Sequence, residues 1–217
     1  MSVVIAVDGT AASGKGTLAK KLAKHFGFSH LDSGSLYRLV ALGVVEAGGD
    51  PNKEADAVKV AMSIDPSRAE DPRIRTGEIG SAASLVSVFP KVRAALLDFQ
   101  RKFAATPPGA VIDGRDIGTV VCPDAQAKLF VDATAEVRAH RRWLELKARG
   151  DSPDEAALLK DILERDARDK GRAVAPLKPA PDAVLLDTTH LGIDAAFAAA
   201  LALVIPRIEG LKARPRG

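Results

Sequence analysis

Gly9-Thr10-Ala11-Ala12-Ser13-Gly14-Lys15-Gly16-Thr17 places two glycines four residues apart and a lysine directly after the second, the spacing of a phosphate-binding loop. Such a loop turns backbone N–H groups inward around a phosphate. A following helix adds the positive end of its dipole, and Lys15 supplies a point charge to the β and γ phosphates of a nucleotide. All nine residues are candidate nucleotide contacts. Because Gly16 follows the lysine, the hydroxyl that commonly helps to hold Mg²⁺ is displaced to Thr17. Two further stretches pair arginine with carboxylates or hydroxyls: Asp32-Ser33-Gly34-Ser35-Leu36-Tyr37-Arg38 and Asp113-Gly114-Arg115-Asp116-Ile117-Gly118-Thr119. A third set, Arg165, Arg168, Asp169 and Arg172, recurs at i, i+3, i+4 and i+7 and so predicts one helical face. With an anion bound at the loop, that face reads as covering an anionic cleft and making few native contacts without its ligands. Asp113 is a candidate carboxylate for positioning water on Mg²⁺.

These groups need elements to hold them. Val3 to Val7 is a mostly β-branched run ending in Asp8-Gly9, and Leu18, Leu22 and Phe26 then recur at helical spacing. A second strand is expected just before Asp32. The cycle returns at Ala110 to Ile112, at Ala127 to Val131 with a helix near Ala135 to Arg149, and at Ala183 to Leu186 before a closing helix. Apolar strands without alternation predict a parallel α/β sheet flanked by helices. The rhythm breaks between Gly48 and Gly80, where Asp50-Pro51, Asp65-Pro66 and Asp71-Pro72 surround one helical pattern, Ala55 to Ile64, and Pro90 starts another helix through about Ala104. An insertion at about 49–89 and a helical excursion at about 151–175, with its helix from Pro153 to Lys170, elaborate a single domain.

Composition narrows the classes. With 217 residues, 47% hydrophobic and 27% charged, the chain is of ordinary globular make-up, which excludes fibrous and wholly disordered readings. The net charge of +3 names no nucleic-acid partner. Arg138-Ala139-His140-Arg141-Arg142 reads as a solvated or cleft-adjacent basic face, because one tryptophan and one tyrosine offer little base-stacking surface. A single cysteine, Cys122, reads as a buried thiol, and His25, His30, His140 and His190 show no metal spacing. The basic tail from Leu211 reads as a frayed terminus. No signal peptide or membrane-spanning run is seen, so a cytoplasmic location is expected.

Several of these residues together carry a resemblance. Asp32-Ser33-Gly34 with Tyr37-Arg38, Ser84 with Phe89-Pro90-Lys91-Val92-Arg93, Asp113-Gly114-Arg115-Asp116-Ile117-Gly118-Thr119, Glu164 to Asp169 and Arg172 to Pro176 closely resemble bacterial cytidylate kinases, members of the nucleoside monophosphate kinases. The resemblance implies transfer of the γ-phosphoryl of ATP to CMP or dCMP, with Mg²⁺ held mainly by phosphates and water. It implies that Ser33, Arg38, Ser84, Arg93, Arg115, Asp116, Arg165 and Asp169 hold CMP, with Ser84 and Arg93 near base or phosphate and Asp169 near the ribose. Arg168 and Arg172 resemble lid arginines, and Lys15, Arg115, Asp116, Arg168 and Arg172 form the expected catalytic set. A monomer without membrane or nucleic-acid partners is expected. The sequence departs from the family at Ala12, which stands for a third glycine and is tolerable at negative φ. It departs also at 64–80, a shorter insert without a β-rich run. Rival readings are a kinase for UMP or a sugar acid, a GTPase-like switch, which lacks an Asn-Lys-x-Asp segment here, and a nucleic-acid-binding ATPase.

Overall fold

The computed structural model describes residues 2–212. In chain order the elements are β1 (Val3–Gly9), α1 (Lys15–Phe26), β2 (Ser29–Asp32), α2 (Ser33–Glu46), α3 (Glu54–Ala61), α4 (Gly77–Val86) and α5 (Pro90–Ala104). There follow β3 (Gly109–Gly114), β4 (Ala127–Asp132), α6 (Ala135–Ala148), α7 (Glu155–Lys170), β5 (Val184–Asp187) and α8 (Ile193–Lys212). Each strand and helix read from the sequence is present. The tail read as frayed lies outside the described residues beyond Lys212, while Leu211 and Lys212 end α8. Two compact units result, the first from residues up to Leu31 and from Ala104 onward, the second from Asp32 to Phe103.

In the first unit five strands form one sheet in the order β2-β3-β1-β4-β5. β1 pairs in parallel with both β3 and β4, and β4 with β5. All of β3 and the last five residues of β1 are buried, which is why their sequences carry no polar alternation. Leu18, Ala19, Leu22 and Ala23 of α1 pack with Ile5, Val7, Val111, Leu129 and Val131 of the sheet and with Ala200, Val204 and Ile208 of α8. Burying a side chain such as Leu22 or Leu129 contributes about 1.5–3 kcal/mol. Since the strands run in parallel, Gly9, Gly114, Asp132 and Asp187 all end at one edge of the sheet, where open α/β sheets bind ligands.

The second unit is helical. Leu36, Leu39, Val40 and Val44 of α2 pack with Ala57 and Ala61 of α3, Ile79, Ala83 and Val86 of α4, and Val92 and Leu96 of α5. The Asp-Pro steps between α3 and α4 form two short 3₁₀ helices, Pro66–Glu70 and Pro72–Arg75. Asp65 and Asp71 cap them by accepting the N–H groups of Ser67 and Arg73, with proline at the first helical position. The stretch read as lacking a β-rich run is therefore turned into capped helical turns. Arg68 and Arg73 tie these turns to Glu46 at 3.1 and 2.8 Å, exposed pairs that contribute little stability.

Candidate active site

Gly9 leaves β1 at a φ of 152°, where a Cβ would stand 1.9 Å from the Val131 carbonyl oxygen, so no larger residue passes. The chain turns through Ala12 (φ 58°) and Gly14 (φ 86°) and enters α1 with no side-chain cap and no acidic residue in the first turn. The N-terminus of α1 thus faces the loop with no side-chain anion at its cap, and the helix dipole there favours one. Lys15 donates from Nζ to the Thr10 carbonyl at 3.2 Å, folding its ammonium back over the loop.

Ala12 corrects the expectation of a negative φ. The reversal of the loop demands left-handed backbone at this position, which disfavours a residue bearing a Cβ by about 1–2 kcal/mol. Ala12→Gly is expected to stabilise the protein by about 0.5–1 kcal/mol, the relief being partly offset by glycine's larger unfolded-state entropy. Urea unfolding of both proteins checks this, and a lower midpoint for the glycine variant contradicts it.

The outer side of the loop is held from β4, β5 and α6. Thr10 donates from Oγ1 to Asp132 Oδ1 at 2.5 Å, Arg138 donates to the Ala11 carbonyl at 3.1 Å, and Thr188 donates from Oγ1 to the Ser13 carbonyl at 3.0 Å. Arg141 donates to the Thr188 carbonyl at 2.6 Å. The basic run 138–142 is thus not a solvated face throughout. Arg138 is buried and Arg141 half-buried, because their guanidinium groups satisfy carbonyls that would otherwise lie without partners.

The turn after β3 is anchored by a residue that the motif reading passed over. Asp8, the residue before the loop's first glycine, is 4% exposed and accepts the N–H of Ile117 on Oδ1 at 2.8 Å and that of Gly118 on Oδ2 at 2.7 Å. A Cβ on Gly118 would lie 3.4 Å from Asp8 Oδ2 and 3.1 Å from the Lys128 side chain, so the bare backbone admits both groups. Burial pushes the Asp8 carboxyl up to about 7, while the two N–H groups and Lys15 pull it down. A folded-state value above the ordinary 3.8 means that the folded protein binds more protons than the unfolded chain between these values. The contribution of Asp8 to stability is therefore full below about pH 4 and is lost as the pH rises to about 7. The melting temperature of the wild type relative to Asp8→Asn is expected to fall across that window and to level above it. A flat difference from pH 4 to 8 would contradict the assignment.

Beyond the turn, Arg115 donates from Nε to Asp169 Oδ2 at 2.9 Å, and Arg172 donates to Asp169 Oδ1. Burial would raise the Asp169 carboxyl, yet the guanidinium groups of Arg115, Arg172 and Arg165 outweigh it and hold the group below its usual range. Here the helical-face reading needs correction. α7 ends at Lys170 with Gly171 as its C-cap, so Arg172 reaches Asp169 from the following turn and not from the helix. Asp169 is 1% exposed while Arg168 lies exposed. The four residues do not form one open stripe, and Asp169 and Arg172 already make buried contacts.

In the second unit, Arg38 donates from Nη1 to the Ile74 carbonyl at 2.6 Å and Arg93 from Nη1 to the Ser87 carbonyl at 3.1 Å. The Arg93 guanidinium lies 5.5 Å from the centre of the Tyr37 ring. Ser33 opens α2 and Ser84 lies on α4, both buried. The sequence-identified residues of this unit thus stand on α2, α4 and the first turn of α5.

The family model for cytidylate kinase matches residues 5–205. The chain belongs to the cytidylate kinase family. A cytidylate kinase of Rhodopseudomonas palustris strain TIE-1 is 59% identical over 202 residues, covering 93% of this chain and 95% of the relative. One of Bradyrhizobium diazoefficiens is 54% identical over 216 residues, covering 99% and 100%. Among solved structures, a gluconokinase from Sinorhizobium meliloti aligns at a TM-score of 0.51 with 16% identity over 97% of this chain and 95% of that one. A shikimate kinase from Bacteroides thetaiotaomicron aligns at 0.50 with 12% identity, covering 94% and 98%. These structural likenesses show the fold, a parallel sheet flanked by helices.

Among the described residues no cluster of three or more His, Cys, Asp and Glu has the makings of a metal site. Asp113 is buried, its Oδ1 accepts a hydrogen bond from His30 Nε2 at 2.8 Å, and its Oδ2 lies 3.6 Å from where a Cβ on Gly16 would stand. One carboxylate beside the loop and the exposed Thr17 fit an Mg²⁺ ion that takes most of its ligands from phosphates and water. Besides Asp8, sequence reasoning missed Asp132, Arg138, Asp166 and Thr188. Of these, Asp8 and Asp132 carried a signal, an acidic residue closing an apolar strand.

Proposed function

We propose that this protein phosphorylates CMP, and dCMP with it, by in-line transfer of the γ-phosphoryl of ATP, giving ADP and the nucleoside diphosphate. The observation that carries the reading is a strand-end phosphate loop with an uncapped helix behind it, in a chain of the cytidylate kinase family. Lys15 and the N–H groups of residues 9–17 hold the β and γ phosphates of ATP. When bound, Mg²⁺ neutralises charge across those phosphates; Thr17 and Asp113 are the residues that would hold it or its water. Ser33, Arg38, Ser84, Arg93, Arg115, Asp116, Arg165 and Asp169 are the proposed CMP contacts. Arg168 and Arg172 complete the proposed catalytic set with Lys15, Arg115 and Asp116, offsetting charge on the transferring group while water is kept out. Segment 151–175 is the proposed lid and 49–89 the proposed acceptor-binding insertion. A cytoplasmic monomer is proposed; among the described residues no single helix is long and apolar enough to cross a membrane. The test is ATP consumption against CMP, dCMP, UMP, AMP and a sugar acid. CMP is expected to be the best acceptor, and faster turnover of UMP or of the sugar acid would overturn the assignment.

A further inference from the structure

Arg138 of α6 is 3% exposed and directs its donors to three separate segments. Nε donates to the Ala133 carbonyl at 2.8 Å, Nη1 to the Ala11 carbonyl at 3.1 Å, and Nη1 and Nη2 to the Asp166 carboxylate of α7 at 3.2 and 2.6 Å. Asp166 is 7% exposed. Burying two opposite charges this deeply is costly, and a well-packed apolar pair of similar volume commonly stabilises a fold as well or better. What an apolar pair cannot do is hold a carbonyl. The Ala11 carbonyl belongs to the same planar trans peptide as the Ala12 N–H, and the two point in opposite directions. A guanidinium that pins the carbonyl outward therefore turns that N–H toward the interior of the loop, at the residue held in left-handed backbone. On the other side, Asp166 neighbours Arg165 and precedes Asp169 by about one helical turn, and Asp169 meets Arg115 and Arg172.

We infer that Arg138 is a positioning residue that sets the phosphate loop and α7 in register, so that a nucleotide seated in the loop orders the arginines carried on and beside α7. The inference rests on the kinase reading for its catalytic consequence, though not for the coupling itself. Occupancy of the loop fixes the Ala11–Ala12 peptide, the peptide fixes the guanidinium, and the guanidinium fixes Asp166 with its helix. The links are buried hydrogen bonds of fixed direction, and no exposed side chain is needed between loop and helix.

Three measurements test it. In the wild type, a non-hydrolysable ATP analogue without CMP should slow hydrogen exchange across residues 155–170, and in Asp166→Asn this protection should be lost. Asp166→Asn should lower kcat about tenfold while the dissociation constant of the analogue alone changes little, because the grip on Ala11 stays. Arg138→Lys, which cannot reach both partners as a fork, should lower kcat and also weaken analogue binding. Should Asp166→Asn fail to fold, the neutral pair Arg138→Met with Asp166→Leu replaces it in the exchange experiment, with the same loss expected. A purely structural pair predicts lower melting temperatures, unchanged kcat and KM below the transition, and undiminished protection of α7 by the analogue; that result overturns the inference, as does a wild type whose α7 gains no protection. If the wild type does not phosphorylate CMP, the functional reading falls, and the exchange experiment still decides the coupling.

Discussion

Lys15→Ala is expected to lower kcat for phosphoryl transfer by about 100- to 1000-fold, the loss found when one donor to transition-state charge is removed, with little change in melting temperature. The lysine opens α1 at the loop and is only half-buried, and its Nζ meets a loop carbonyl, not the apolar core. Its charge also reaches the buried Asp8 carboxyl and pulls it down, so the variant should raise that ionisation further above about 7. Single-round turnover and melting temperature, each measured against pH, separate the two consequences. The catalytic loss persists at every pH, whereas the Asp8 effect moves only the pH window over which melting temperature falls. A folded Lys15→Ala protein with wild-type turnover would refute the phosphate-loop mechanism.

The second large effect concerns the acceptor. CMP is expected to bind at least about 100-fold more tightly than cytidine, or about 2.7 kcal/mol, because Arg38, Arg93 and Arg115 are each proposed to hold its phosphate. A charge-assisted hydrogen bond contributes about 1.5–3 kcal/mol. The full sum is not expected, since each guanidinium is already engaged: Arg38 with the Ile74 carbonyl, Arg93 with the Ser87 carbonyl and Arg115 with Asp169. Phosphate must share or displace these partners, and a guanidinium with five N–H donors has some to share. Titration calorimetry with CMP and with cytidine measures the ratio. Equal affinities would remove the three arginines from the acceptor site.

Where function was legible in the sequence, the signal was local. The glycine-lysine spacing after an apolar strand is written in consecutive residues, and so is Asp113-Gly114-Arg115-Asp116 at the end of β3, because a parallel sheet brings such strand ends to one edge by its topology alone. Asp65-Pro66 and Asp71-Pro72 likewise announce the two capped turns of the second unit. What escaped the sequence depends on partners remote along the chain. Arg138 looked like one basic residue in a basic run because Asp166 and Ala11 stand 28 and 127 positions away. The sign of φ at Ala12 is dictated by the path of the loop, on which the residue's own type is silent. Periodicity puts Arg172 on the helix, but α7 stops at Lys170, and Arg172 meets Asp169 from the turn that follows.

The placing of β1 at the middle of the sheet governs how the chain must assemble. Val3 pairs with Gly109 on one side and Ile5 with Ala127 on the other, so the first strand to be made acquires its ladder partners only after more than 100 further residues. At synthesis rates of about 5–20 residues per second, β1 waits roughly 5–20 s without a neighbour. The helices of residues 32–103, whose contacts are short-range, can form in that interval, whereas the sheet must close long loops and is expected to fold slowly. An apolar strand left open for so long is the segment most exposed to pairing with another nascent chain. Aggregation during rapid overexpression should therefore be seeded by the same seven residues that later carry the phosphate loop.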